Sequence, residues 1–415
     1  MNLTIHKEIH EQVKKYAELA IKVGVNVQED QPLWISAPLG SEDFVRIVVK
    51  EAYLAGARNV HVQWYDEEIM RTHYELAPYD VFYEYPTWLA AAHEWVVDLK
   101  GAFLQIEAND PDLLKGIHPD RILNFEKASG DALDRFYEAI ENDEISWSIV
   151  AIPSKKWADK VFPELPETDR IPSLWNQIFT SVRIDQPDPV SAWKTHIQTL
   201  NEKASQLNSL KLKEMHYQSK GTDLKIDLHE DHIWLTGASQ TPQGSNFIAN
   251  MPTEEVYTVP VKTGVNGTVT STKPLAYNGN VIEDFTLTFV NGKITEVSAK
   301  EGEEILKKLI DTDEGASYLG EVALVPHHSP ISDSGILFFN TLFDENASNH
   351  LAIGSSYPTC MKDGDILTDE EREEKGLNDS VVHEDFMIGS EHMNIDGVNA
   401  DGSRIPIFRN GNWAI

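Results

Sequence analysis

The chain has 415 residues, of which 67 are acidic and 35 basic, for a formal charge of −32 at pH 7. With 41% apolar residues and ten Trp it can bury substantial cores, which excludes a disordered protein; its length predicts two domains. The acidic excess argues against nucleic-acid binding, which needs a basic patch. It suits a cationic or amine-bearing substrate, although a solvated acidic surface accounts for it without any function.

Ile5, Ile9, Val13, Ala17 and Ala20 recur at helical spacing and predict an amphipathic first helix. The residues before it hold no apolar stretch of signal-peptide length, and no run approaches the ~20 apolar residues of a membrane span. A cytoplasmic protein with no membrane partner is expected. Residues 32–37 form a strand candidate, followed by Ser41 as an N-cap and a helix from Phe44 to Ala55 that stops at Gly56. Val60 to Trp64, Ala102 to Ile106 and Trp147 to Ile152 read as further buried strands. This β-α-β rhythm predicts an α/β amino-terminal domain, residues 1–208, with a mainly parallel sheet. No glycine-rich phosphate loop follows any of these strands, so a nucleotide site and a dehydrogenase reading are both unsupported.

A helix is expected over residues 190–207, after which the periodicity changes. Leu224, Ile226 and Leu228 alternate, as do Phe285, Leu287 and Phe289. Asn291-Gly292 is a hairpin signal that Asn266-Gly267 and Asn278-Gly279 repeat. Residues 209–415 are therefore expected to form an α+β domain of mainly antiparallel strands, with helices from Glu301 to Ile310 and over 368–375. The second of these starts on a capping box at Thr368, ends at Gly376, and reads as a solvated surface helix.

The chemistry concentrates between Gly320 and Gly389. Glu321 stands within an otherwise apolar run, Leu319 to Val325, and an unpaired buried carboxylate either neutralises or finds a cation. His383 and Asp385, two apart, share one face of any strand they occupy, while Glu384 faces away. A hydrogen-bonded His–Asp pair supporting a core satisfies the same spacing. Glu345 and His350 are five apart, workable from a loop into an element; a lone His before Leu351-Ala352 also reads as a core residue. Glu254 and Glu255 form an acid pair that a surface helix capped by Thr253 explains equally well. His229 and His232 read as surface residues, His327-His328 as a turn or a site entrance, and Tyr357 as packing before Pro358. Cys360 is the only cysteine, which rules out an intrachain disulfide and a cysteine-based zinc site.

Taken in order, Asn250 to Val256, Leu319 to Leu324, Leu342 to Ala347 with His350, and His383-Glu384-Asp385 resemble the aminopeptidase T, aminopeptidase S and PepS family of bacterial metallo-aminopeptidases, the thermophilic metalloprotease family. The likeness spans nearly the whole chain. It implies a homodimer with a carboxy-terminal catalytic domain that releases amino-terminal residues from peptides with a free amino terminus. It further implies two divalent ions per subunit, held by Glu255, Glu321, Glu345, His350, His383 and Asp385, with Tyr357 nearby. The choice of Glu255 over Glu254 rests on the resemblance. Such a pair of ions would activate a water and polarise the scissile carbonyl, with Glu255 doubling as general base and Tyr357 donating to the tetrahedral oxygen. Oxygen-rich ligation admits zinc, cobalt, manganese or magnesium. The alternatives are another two-metal amidohydrolase and a non-catalytic, metal-stabilised binding protein.

Overall fold

The structure is a computed structural model that describes residues 9–277 and 279–415. Two compact units divide these residues. One takes the described part of Met1–Thr195 together with Ala238–Pro252, and the other His196–Gly237 together with Thr253–Ile415. Among the described residues no helix is long and apolar enough to cross a membrane.

In the first unit, α1 (His10–Leu19) buries Val13, Tyr16, Ala17 and Leu19; Ile5, where the expected stripe begins, lies outside the described residues. Strands β1 (Leu33–Pro38), β2 (Val60–Tyr65), β3 (Ala102–Glu107) and β4 (Ser146–Ala151) stand in the order β4-β3-β1-β2 and run parallel. Asn250–Met251 extends the sheet beside β4. Parallel neighbours need crossover connections, and α2 (Glu42–Leu54) supplies the one from β1 to β2. Ser41 precedes α2 as expected but does not cap it. Its hydroxyl donates to the Pro38 carbonyl at 2.6 Å, an acceptor that the end of β1 places within reach. Gly56 has φ 103°, and a Cβ there would meet the Glu29 backbone at 3.2 Å, so the return from α2 to β2 requires glycine.

The second unit contains an eight-stranded and a five-stranded sheet, both antiparallel. Asn291 and Gly292 have φ of 50° and 83° and form the tight hairpin between Thr286–Val290 and Lys293–Ser298. The same dipeptide at Asn266-Gly267 is no turn, contrary to expectation. It lies inside Val265–Thr270, paired on both sides, where only glycine fits, since a Cβ at residue 267 would sit 2.2 Å from the Asp223 carbonyl oxygen. There the glycine permits close backbone approach, and the Asn266 side chain accepts from Asn291 N–H at 2.9 Å. Asn278 lies outside the described residues. The acidic segment is the expected short helix, Asp369–Glu374, with the reciprocal Thr368–Glu371 capping box in place.

The five-stranded sheet has the order His383–Met387, His350–Gly354, Leu319–Leu324, Val256–Thr258, Leu235–Thr236. Opposed residues of antiparallel strands share a face, so its register sorts the side chains. Val322, Leu324, Leu351, Ile353, Phe386 and Val256 fall on one face. They join a core that includes Met215, Leu224, Ile226, Leu287, Phe289 and Ile395 of the eight-stranded sheet, and Leu200 and Leu207 of the helix Pro189–Leu210. Glu321 and Asp385 both stand opposite Ala352, Ala323 opposite His350, and Gly354 opposite His383. The polar residues thus occupy the other face, separated by alanines small enough to leave room between them.

Candidate metal centre

That face builds a compact cluster of acids and imidazoles. His350 Nε2 lies 3.2 Å from Glu255 Oε2 and 3.8 Å from Glu321 Oε1; His383 Nε2 lies 3.2 Å from Glu321 Oε2. Asp385 Oδ1 stands between the two imidazoles, 4.0 Å from His350 Nε2 and 3.8 Å from His383 Nε2. Two groupings result, Glu255–Glu321–His350 and Glu321–His383–Asp385, each with its ligand-type atoms within 4.8 Å of one another. Glu321 belongs to both and turns a different oxygen to each imidazole. The far ring nitrogens are tied to backbone, His350 Nδ1 to Ser348 O at 3.1 Å and His383 Nδ1 to Ser355 O at 2.8 Å. Those carbonyls can only accept, so each Nδ1–H donates to one, which leaves both Nε2 atoms facing the acids. Glu345 lies outside both groupings, in the 3-10 turn Glu345–Ala347 just before the His350 strand. Its buried carboxylate nonetheless feels the charges of Asp385, Glu255, His350 and Glu321.

The electrostatics reflect crowding of like charge in a desolvated place. Burial pushes the Glu321 carboxyl up to about 7, against the lowering pull of its His383 contact, and the Asp385 charge adds to the rise. Burial, then Asp385 and Glu255, hold Glu345 well above the usual carboxylate range. For the imidazoles burial acts downward, but the carboxylates win. Contact with Glu255 and the charges of Asp385 and Glu321 raise His350 well above its ordinary value, and contact with Glu321 carries His383 to about 9. Among the described residues no Lys or Arg pairs with Glu255, Glu321, Glu345 or Asp385, and Asp385 Oδ1 is buried with no hydrogen-bond donor. An orphaned carboxylate oxygen between two imidazoles, in a pocket of four acids, fits divalent cations; a cluster left without them keeps its charge balance only by retaining protons.

Tyr357 is half-buried, with its ring 4.8 Å from His383 and 5.9 Å from Tyr257. Desolvation and the Glu321 and Asp385 charges hold its phenol protonated well past the ordinary range. Other residues read from the sequence fall elsewhere. Glu254 and Glu255 do not open a surface helix: both are buried in the approach to Val256–Thr258, with Glu254 3.6 Å from His196 Nε2. Asp344 turns away from the cluster and accepts the Phe338 and Asn340 N–H groups at 2.8 and 3.1 Å. His232, expected at the surface, is buried with Nδ1 2.6 Å from His229 O, because the chain pairs there with Met361. His328 is exposed and pairs with Asp333. Tyr257 and Asn346 adjoin the cluster although nothing in their spacing marked them. Tyr257 shares the register row of Ala323, which only the strand pairing reveals.

Comparison with known proteins agrees with this architecture. Residues 9–413 match the model of the thermophilic metalloprotease (M29) peptidase family. The chain is 52% identical to aminopeptidase AmpS of Bacillus subtilis (strain 168) over 97% of its length and 98% of the relative's. It is 41% identical to aminopeptidase T of Thermus aquaticus over 98% of its length and 99% of the relative's. The structure of wild-type AmpT from Thermus thermophilus superposes with a TM-score of 0.92 at 39% identity, covering 98% of this chain and all of that one. By sequence over its whole length and by fold, this chain belongs to the thermophilic metalloprotease family M29.

Proposed function

We propose that the chain hydrolyses the first peptide bond of peptides with a free amino terminus at a centre for two divalent ions, held by Glu255, Glu321, Glu345, His350, His383 and Asp385. As a member of its family, alongside relatives named aminopeptidases, it is a metallo-aminopeptidase. The two-ion reading rests on one observation: Glu321 is common to both ligand groupings and directs one oxygen into each. When bound, such ions lower the pKa of a water and polarise the scissile carbonyl. Zinc, cobalt, manganese and magnesium all suit the donor set.

The chain's own residues supply the remaining chemistry. Glu255 takes a proton from the attacking water and passes it to the leaving amine. Tyr357, kept protonated, donates a hydrogen bond to the carbonyl oxygen as negative charge develops there. The substrate's free amino group is held by a metal or by an acidic side chain, which a blocked terminus could not satisfy. Catalysis is assigned to the carboxy-terminal unit, which carries all six of these residues, in a cytoplasmic homodimer.

The test compares an amino-acid anilide with its N-acetylated form, before and after chelation. Cleavage of the free amine alone, lost on chelation and restored by one of the four ions, is the expected result. Equal cleavage of both forms would point to another amidohydrolase, and cleavage of neither with metal bound to a binding protein. A second expectation concerns protons. In the metal-free cluster the Glu321 and Glu345 carboxyls and the His350 and His383 imidazoles all keep protons to higher pH than they would in water. Cations must displace them, so affinity should fall as pH drops through about 9, where His383 gains its proton, and further through about 7, where Glu321 does, and binding near neutral pH should release protons. Calorimetry in buffers of different ionisation enthalpy measures that release; binding without it contradicts the assignment.

A further inference from the structure

We infer that Asn346 is a positioning residue that locks Glu345 and the Glu254–Glu255 segment into one metal-binding geometry. The inference rests on the ligand reading proposed above. Asn346 is fully buried one residue after Glu345, and its amide serves three partners. Nδ2 donates to Glu345 Oε1 at 3.2 Å and to Leu342 O at 3.1 Å, while Oδ1 accepts the Glu254 N–H at 2.7 Å. The backbone is pinned as well, because its carbonyl accepts the buried Ser329 hydroxyl at 3.2 Å.

This arrangement answers a problem set by the topology. Glu255 precedes a strand of the five-stranded sheet, and Glu345 lies in a 3-10 turn outside it. Neither position is held by ladder hydrogen bonds, unlike Glu321 and Asp385, which the register with Ala352 keeps in place. They are also 90 positions apart in the chain (345 − 255). A carboxylate crowded by like charges moves away unless a neutral donor holds it, and a bare N–H at Glu254 would be a buried unmet donor. One planar amide meets both needs, since it alone among short side chains offers an acceptor and two donors in a fixed fork. A carboxylate here would repel Glu345, and a hydroxyl is too short to reach both sides. Asn346 touches no reacting atom in this scheme; it acts through Glu345 and Glu255.

The experiment is a double-mutant cycle on the full-length chain, read as Co²⁺ affinity by chelator competition and as the visible spectrum of bound Co²⁺. Asn346→Ala is expected to weaken Co²⁺ binding by about 10- to 100-fold, in line with losing a group that orients a ligand. In a Glu345→Ala background the same change should cost clearly less, because one of the two groups it positions is gone and only its hold on the Glu254–Glu255 segment remains to be lost. Far-UV circular dichroism of the metal-free forms checks folding, and Asn346→Ser carries the same cycle if the alanine variant does not fold. Equal losses in both backgrounds, or no loss in either, overturn the positioning role. If Glu345→Ala leaves Co²⁺ binding and its spectrum untouched, it is the ligand assignment of Glu345 that fails, a result the cycle keeps distinct.

Discussion

Replacing Glu321 by alanine should abolish measurable turnover, with kcat reduced by about 10³- to 10⁴-fold. The size follows from what the residue shares: polarisation by a bound metal is worth several kcal/mol, and each 1.4 kcal/mol is a factor of ten in rate. No other side chain of the cluster faces both imidazoles through two separate oxygens, one 3.8 Å from His350 and the other 3.2 Å from His383. On the two-ion reading proposed above, its removal weakens both sub-sites at once. Metal content by inductively coupled plasma spectrometry should fall from two ions per chain in the parent, while circular dichroism stays unchanged. A variant that kept both ions and parental activity would show that Glu321 is merely a buried acid. Loss of a single ion with partial activity would separate the sub-sites and contradict a shared ligand.

Changing Tyr357 to phenylalanine should lower kcat by about 10²- to 10³-fold with little change in KM, the loss seen when one donor to a developing oxyanion is removed. Phenylalanine preserves the ring that packs against His383 and Tyr257, so the substitution deletes the hydroxyl without opening a cavity. The protonated phenol is what makes the assignment physically consistent. Desolvation and the neighbouring carboxylates oppose its ionisation, which keeps it a hydrogen-bond donor. The measurement is steady-state kinetics on a free-amine anilide with metal content matched between the forms. An unaltered kcat removes the role; a raised KM at constant kcat would make Tyr357 a substrate-binding group instead.

The fold was legible wherever a repeating physical pattern acts over several residues. Helical spacing of Val13 and Ala17, apolar runs flanked by turn residues, and the Thr368 capping box each report local constraints that the structure retains. Asn-Gly shows the limit of such signals. The pair turns the chain at Asn291-Gly292, yet at Asn266-Gly267 it lies flat in a strand, because the glycine there answers to the neighbouring Asp223 backbone and not to its own turn. Equally hidden was the return of residues 238–252 to the first unit, whose two-residue strand at Asn250–Met251 is too short to carry any periodicity.

For the cluster, acids and imidazoles set among apolar neighbours marked the stretch from Gly320 to Gly389 as a place where something must satisfy them, while the full set of Glu255, Glu321, Glu345, His350, His383 and Asp385 came from the family resemblance. Whether these groups meet was a matter of register. The pairing of Glu321 and Asp385 to the same alanine, and of His350 and His383 to flanking positions, exists only once three strands align. Linear spacing likewise could not choose between Glu254 and Glu255, nor single out Asn346, whose partners lie 92 residues away at Glu254 as well as next door at Glu345. Composition and order, then, determined the class of chemistry. The tertiary structure alone decided which oxygen faces which ring, since that depends on distances between strands, which no local pattern encodes.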